Sequence, residues 1–127
     1  MKIVSIETFA RPEVGLARLT TDSGDWGWGQ IASTAAADIV AQTLHRQVAP
    51  VVLGRDPEET EAVGQSVLEA TLKFPGSYIC RALAAVDTAM LDLRARKAGL
   101  PAGATLAPGF ELLEAVEDAG AATTAGE

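Results

Sequence analysis

The chain has 127 residues, of which 48% are hydrophobic and 21% are charged. This length suits one small domain, and this composition is typical of a globular protein rather than a disordered one. The formal net charge of −7, without any basic patch, argues against nucleic-acid binding through phosphate neutralisation. Cys80 is the single cysteine, which excludes an intrachain disulfide and a cysteine cluster for zinc.

The N-terminus and the hydropathy pattern predict a cytoplasmic protein. Residues 1–4 lead directly into a strand pattern without the apolar segment of a signal peptide. No apolar run approaches membrane-spanning length. We therefore expect a cytoplasmic location and no membrane partner.

The first thirty residues show the alternation and turn chemistry of three short strands. Strands are predicted at residues 2–9, 16–21 and 26–30. A turn over Ala10–Gly15 and a hairpin turn ending at Gly24 connect them. This order predicts a three-stranded antiparallel meander.

The third predicted strand has two different faces. Trp26, Trp28 and Gln30 point to one side, and Gly27 and Gly29 to the other. The tryptophans either lie in the core under the helices or form a face that seats against another domain, and the pattern leaves both open. Glycines in a hairpin, at this spacing, do not form a dinucleotide-binding fingerprint.

Two helices are predicted after the strands. The first begins at Ser33 or Thr34 and ends at Pro50. The second has Asp56 as its N-cap, with proline at the first helical position, and ends near Lys73. Both carry an apolar stripe at helical spacing.

A third helix, from Ser77 to Pro101, is the longest. Ser77 is expected to cap it, and Gly99 and Pro101 to end it. Its apolar stripe consists of Ile79, Leu83, Val86, Met90 and Leu93, widened by Ala82, Ala85 and Ala89. Because these alanines are small, another backbone can approach closely. The whole pattern predicts an α+β fold, in which three antiparallel helices cover one side of the meander.

The composition changes at Pro101, which predicts a domain over residues 1–101 and a divergent, partly disordered acidic tail over 102–127. The tail holds five acidic residues and no basic one. A solvated acidic face is favoured over a metal site for its cluster of Glu111, Glu114, Glu117 and Asp118.

Four other polar residues are candidate functional groups, and a structural role is favoured for each. His45 is expected to be a surface histidine without a carboxylate neighbour at helical spacing. Cys80 is expected to be a partly buried filler rather than a reactive thiol. Asp87 and Asp92 are about 140° apart around a helix axis, so one of them is expected to cap or pair locally rather than bind a metal.

Several motifs occur together in the order found in a known family. The run ALAAVDTAMLDLRAR, from Ala82 to Arg96 and followed by Gly99-Leu100-Pro101, is similar to the signature helix of the mandelate racemase and muconate-lactonising branch of the enolase superfamily. The segments MKIVSIETF, TTDSG, GWG and LGRDP also stand where that family has them. The resemblance covers residues 1–101, the family's N-terminal capping domain.

The resemblance implies a role in substrate selection. In this family the capping domain lies over the mouth of a (β/α)-barrel and contributes two loops to the pocket, which here correspond to Ala10–Gly15 and Gln30–Thr34. The first loop is short, as in acid-sugar dehydratases, and Arg11 could meet a carboxylate. The candidate specificity residues are Arg11, Pro12, Glu13, Gln30, Ile31 and Ser33. The family usually has an acidic residue where Gln30 stands.

After Pro101 the sequence departs from the family, and the residues from Ala102 to Glu127 are too few for a barrel, which needs about 200. We therefore expect an isolated specificity domain that is catalytically incomplete alone, without catalytic or metal-binding residues or a cofactor of its own. The resemblance implies that the full-length enzymes use magnesium to remove a proton α to a carboxylate, as in acid-sugar dehydration. The expected partner is a missing or separate barrel domain.

Two further interpretations stay open. In the first, the chain is a non-enzymatic interaction module that forms a homo-oligomer through an exposed apolar face or binds a separate barrel chain. In the second, it is a small α+β binding protein unrelated to this family.

Overall fold

A computed structural model describes residues 1–31 and 35–102. The strands β1 (Ile3–Arg11), β2 (Val14–Thr21) and β3 (Trp26–Ile31) form an antiparallel sheet in the order β1-β2-β3. The helical elements that follow are α1 (Ala37–Thr43), a π-helical segment (Leu44–Val48), α2 (Ala49–Val52), α3 (Thr60–Ala70) and α4 (Ser77–Ala98). Since α1, the π-helical segment and α2 are contiguous, the predicted order of three strands and three helices is confirmed. The predicted tail beyond Ala102 and the predicted start of the first helix at Ser33 or Thr34 lie outside the described residues.

Helix α4 packs directly on β3, backbone against backbone. A Cβ atom placed on Gly29 would overlap the carbonyl oxygen of Ala85, and one on Gly27 would overlap that of Ala89. The close approach expected from the small residues of α4 is therefore confirmed. Trp28, between these glycines, points away from α4.

The core lies between the inner face of the sheet and the helices. Its largest side chains with no solvent exposure are Ile3, Leu19, Ile31, Val40, Leu44, Val48, Val52, Val63, Val67, Val86, Met90 and Leu93. Every element of the fold except the connecting turns contributes to this set. A single core therefore holds the described part of the chain together.

The connection between β1 and β2 is shorter than predicted. Ala10 pairs with Gly15 and Arg11 pairs with Val14, so the strands extend to a two-residue turn, Pro12–Glu13. The proline ring fixes the φ angle of the first turn residue, which allows the ladder to continue to this point. The predicted loop Ala10–Gly15 is thus largely strand.

The prediction that Pro50 ends the first helix was wrong. The helical run continues to Val52, and Pro50 lies in the first turn of α2. The Ala49 N–H bonds to the Leu44 carbonyl, five residues back, as in a π-helix. Because the bonding pattern changes at this point, the proline falls where a helix tolerates a missing N–H.

The prediction that Asp56 caps the second helix was also wrong. Helix α3 begins four residues later, at Thr60. Asp56 instead organises the preceding turn, where its Oδ1 accepts the N–H of Glu58 at 2.9 Å and its carbonyl accepts that of Glu59 at 3.1 Å. The carboxylate is used locally, before the helix starts.

Helix α4 ends as predicted but begins differently. Its N-cap is Gly76, at φ 154°, and Ser77 is the first helical residue without a capping bond from its side chain. At the other end Gly99 is left-handed, at φ 70°, and the Leu100 N–H bonds to the Ala95 carbonyl at 2.9 Å. This is the Schellman arrangement that a C-terminal glycine favours.

Candidate functional site

The first predicted specificity loop and the described residues that flank 32–34 in the second lie at the same end of the sheet. The carbonyl of Pro12, in the β1–β2 turn, accepts the N–H of Ala37, the first residue of α1, at 3.1 Å. Next to this turn, Gly15 of β2 pairs with Ile31, the last residue of β3. The β1–β2 turn therefore lies next to the described residues on either side of 32–34, which are Gln30, Ile31 and residues 35–37, and together these residues form one rim.

A shallow hollow of about 310 Å³ opens on the outer face of the sheet beside this rim. Its lining consists of Phe9, Ala10, Arg11, Val14 and Leu16. Arg11 is the only charged residue in this lining, and its guanidinium offers five N–H donors. An apolar wall with one guanidinium suits an anionic ligand that also has a carbon skeleton.

The predicted site residues differ in their accessibility. Pro12, Glu13 and Gln30 are exposed, whereas Ile31 is fully buried in the core. Ile31 can therefore influence a ligand only by positioning its neighbours. Ser33 lies outside the described residues.

Ala35 is a feature of the rim that the sequence did not indicate. Its φ angle is 55°, in the left-handed region where glycine or asparagine is the usual residue. An alanine carries no sequence signal for this conformation. The backbone is thus strained just before α1, directly after the predicted loop Gln30–Thr34.

The outer face of the sheet carries an ordered row of side chains. Glu7 of β1 accepts a bond from Arg18 of β2 at 2.7 Å. The Arg18 guanidinium lies 5.4 Å from the ring centre of Trp28, which in turn lies 5.6 Å from that of Phe9. Trp26 is 41% exposed, so the tryptophans belong to an outer face rather than to the core under the helices.

The free edge of β3 is closed by α4. Asp92 Oδ2 accepts the backbone N–H of Trp28 at 2.8 Å and pairs with Arg96 Nε at 2.8 Å. The Arg96 guanidinium lies 4.1 Å from the Trp26 ring centre. The expectation that one of the two helix aspartates pairs locally is confirmed. Among residues 1–31 and 35–102, no three His, Cys, Asp or Glu side chains are placed to hold a metal ion.

His45 is a surface residue, as predicted, and it contacts the sheet. Its Nε2 lies 2.7 Å from the Thr8 hydroxyl of β1. Cys80 is exposed rather than partly buried, which corrects the prediction. It lies on the side of α4 that borders a groove against α3, whereas its neighbour Ile79 faces inward.

The described helices include none that is both long enough and apolar enough to cross a bilayer.

Comparison with known families identifies most of the chain. Residues 2–106 match the family model for the mandelate racemase / muconate lactonizing enzyme N-terminal domain. The match covers all the strands and helices of the described fold.

Individual relatives extend well beyond the matched part. The chain is 34% identical over 84 residues to a D-mannonate dehydratase of Novosphingobium aromaticivorans, which is 66% of this chain and 21% of the relative. It is 29% identical over 102 residues to a D-galactonate dehydratase of Xanthomonas campestris pv. campestris, 80% of this chain and 26% of the relative. The chain thus spans about a quarter of the length of these curated relatives.

A solved structure supports both the fold and the family. The crystal structure of a protein from Roseobacter denitrificans, provisionally described as a racemase, superposes with a TM-score of 0.78 and 49% sequence identity. The alignment covers 82% of this chain and 28% of that one.

Proposed function

The chain belongs to the mandelate racemase/muconate lactonizing enzyme family by way of its N-terminal domain, and we propose that it is the substrate-specificity cap of an acid-sugar dehydratase. Its partner is then a barrel domain, either on the same polypeptide or on a second one. The cap selects the substrate, and the chemistry takes place on the barrel.

The observation that carries this proposal is the rim at the end of the sheet where the β1–β2 turn lies. The Pro12–Ala37 hydrogen bond joins the first proposed specificity loop to the start of α1, shortly after the second proposed loop, Gln30–Thr34. A rim held by a backbone bond can present side chains at fixed positions over a neighbouring pocket. The matched relatives named as D-mannonate and D-galactonate dehydratases give the substrate class.

Within the rim, Arg11 is assigned to the anionic end of the substrate. A sugar acid has a carboxylate and a polar carbon chain, and the guanidinium can bind the carboxylate in a bidentate contact. Glu13 and Gln30 are also exposed, and they can accept or donate hydrogen bonds to hydroxyl groups. Their proposed role is to orient the substrate, and proton removal from carbon is assigned to the barrel.

Magnesium belongs to this proposal only through the family. When bound in such enzymes, the metal stabilises the charge that develops on the substrate carboxylate. The described part of this chain contains no group of ligands that would hold it. We therefore assign no step through the metal to this chain.

Racemisation is the second candidate reaction, because the Roseobacter protein that shares 49% identity is provisionally a racemase. Both reactions begin with removal of the proton α to a carboxylate. They differ in the next step, which is loss of a β-hydroxyl group in a dehydratase and return of the proton in a racemase. The cap is proposed to serve either reaction through the same Arg11 contact.

A chimera tests the proposal. Residues 1–101 replace the corresponding segment of the N. aromaticivorans D-mannonate dehydratase, and activity is measured with magnesium on a panel of sugar acids and on a chiral α-hydroxy acid. We expect dehydration, with a substrate ranking that follows the transplanted cap. In the chimera, Arg11→Gln should lower kcat/KM by about 10- to 100-fold, which corresponds to one charge-assisted hydrogen bond of about 1.5–3 kcal/mol.

Lys97→Gln is the matched control, because it also removes one exposed cation but lies with Gly24 and Asp25 at the opposite end of the sheet. It should leave kcat/KM unchanged. Equal effects of the two substitutions, or a substrate ranking identical to that of the unmodified dehydratase, would show that the rim does not select the substrate. Exchange of the α-proton without dehydration would favour the racemase.

A further inference from the structure

Among residues 1–31 and 35–102, the outer edge of β1 has no strand partner along part of its length. The order β1-β2-β3 makes β1 an edge strand. Its first residue is covered, because Ile3 exchanges backbone bonds with Arg55 at 2.9 Å and with Gly54 at 2.8 Å. Beyond that point, the described residues provide no backbone partner on this side of the strand.

The directions of the free groups follow from the ladder. The Trp28 N–H points away from β2, toward Asp92, so Trp28 and Arg18 form a non-hydrogen-bonded pair. Arg18 therefore directs its backbone groups to Glu7 of β1. Alternation along β1 then turns the N–H and C=O groups of Ile6, Thr8 and Ala10 outward.

We propose that this free edge pairs with a second copy of the same chain, antiparallel and with the two-fold axis at Phe9. Each copy would extend the sheet of the other and form six continuous strands. This proposal does not depend on the specificity role proposed above, and it competes with that role for Arg11. The open edge is the kind of surface that native sheets otherwise blunt or cover.

Three features favour this register over one with the axis at Glu7. With the axis at Phe9, the outward groups of Thr8 face those of the second copy's Ala10, and four ladder hydrogen bonds form. Glu7 faces the second copy's Arg11, so opposite charges meet twice across the axis. An axis at Glu7 would instead place like charges opposite each other and would bring the second strand onto the segment that covers Ile3.

The side chain on the axis is also suited to a contact between copies. Phe9 is 51% exposed on the outer face. In a non-hydrogen-bonded antiparallel pair, opposing side chains are close, and aromatic pairs are favourable there. Because Arg11 lies in this contact, a chain paired through β1 does not present Arg11 to a substrate.

The first test reverses the charge of Glu7 or of Arg11 in the 127-residue chain. Dimerisation is measured by analytical ultracentrifugation over a concentration series. We expect the unmodified chain to dimerise, and Glu7→Lys chains and Arg11→Glu chains each to dimerise at least tenfold more weakly. An equimolar mixture of the two should recover dimers, because only the mixed pair has opposite charges at both contacts. Circular dichroism of each variant shows that it is folded.

Disulfide trapping tests the register in the Cys80→Ser background. Phe9→Cys places a thiol on the axis, where it should form a covalent dimer under mild oxidation. Leu16→Cys, on the same face but on the central strand, is the matched control and should not. A monomer at all concentrations, no recovery in the mixture, or equal crosslinking at positions 9 and 16 would overturn the proposal. None of these outcomes depends on the activity of the chimera.

Discussion

The backbone N–H of Trp28 donates to the Asp92 carboxylate at 2.8 Å, across 64 positions of sequence. This contact joins the edge of β3 to the last part of α4. It satisfies a backbone donor that would otherwise lie unpaired beneath a helix. The same carboxylate oxygen also accepts Arg96 Nε, so one side chain closes the sheet edge and positions a guanidinium over Trp26.

Removal of this carboxylate should destabilise the domain. Asp92→Ala leaves the Trp28 N–H without an acceptor, and we expect a loss of about 1–3 kcal/mol in the free energy of unfolding, measured by urea denaturation. Asp92→Asn is the matched control, because its amide oxygen can still accept the N–H while the charge that pairs with Arg96 is lost. If the two variants were equally unstable, the ion pair and not the edge contact would be the stabilising feature.

The contact between β3 and α4 should tolerate no side chain at Gly29. A Cβ atom there meets the backbone of Ala85, which cannot move like the end of a flexible side chain. Gly29→Ala is therefore expected to cost about 3 kcal/mol or more, the upper part of the range for overpacked cores, in thermal or urea unfolding.

Gly64→Ala is the control for that substitution. Gly64 lies inside α3, and an added Cβ there meets no atom within 4 Å. Alanine is the better helix former by about 0.5–1 kcal/mol, so this variant should be more stable than the unmodified chain. If Gly29→Ala lowers the free energy of unfolding and Gly64→Ala raises it, the constraint lies in the β3–α4 contact. If both substitutions change the free energy of unfolding in the same direction, this assignment is refuted.

Much of this fold could be predicted from residue spacing. The alternation in residues 26–30 separated the glycines from the tryptophans, and the apolar stripe with its alanines identified α4 as the central helix. These signals are strong because they repeat along whole elements. Helix starts were predicted less well, although Asp56 and Ser77 both have side chains suited to an N-cap. Asp56 lies about one turn before the N-cap of α3, which is Glu59, and Ser77 lies one residue after the N-cap of α4, which is Gly76.

The candidate site was harder to predict because it depends on contacts between distant segments. The position of Asp92 beneath the edge of β3 and the bond from Ala37 to Pro12 follow from tertiary packing. Ile31 looked like a loop residue, but the sheet register places it in the core. The left-handed Ala35 has no sequence signature at all.

The strain at Ala35 should be measurable. The left-handed conformation costs an L-residue about 1–2 kcal/mol, and glycine avoids this cost while adding about 0.5–1 kcal/mol of lost flexibility. We therefore expect Ala35→Gly to raise the free energy of unfolding by up to about 1 kcal/mol. Ala62→Gly, at an exposed site in α3, should instead lower it by about the same amount. A loss of stability in Ala35→Gly would show that the backbone there is not strained.

The N-terminal end of the sheet should respond to acid through Asp22. The Lys2 backbone N–H donates to Asp22 Oδ1 at 3.0 Å, and this bond, which favours the carboxylate, lowers the pKa of Asp22 below its ordinary value of 3.8. Because the folded state prefers the ionised group, the contribution is present above the unfolded-state pKa and is lost as the pH falls through the lower folded-state pKa. The difference in unfolding free energy between the unmodified chain and Asp22→Asn should thus be constant near neutral pH and shrink below about pH 4. Gln30→Ala, which changes no titrating group, should show a difference independent of pH, and a pH-independent difference for Asp22→Asn would contradict the assignment.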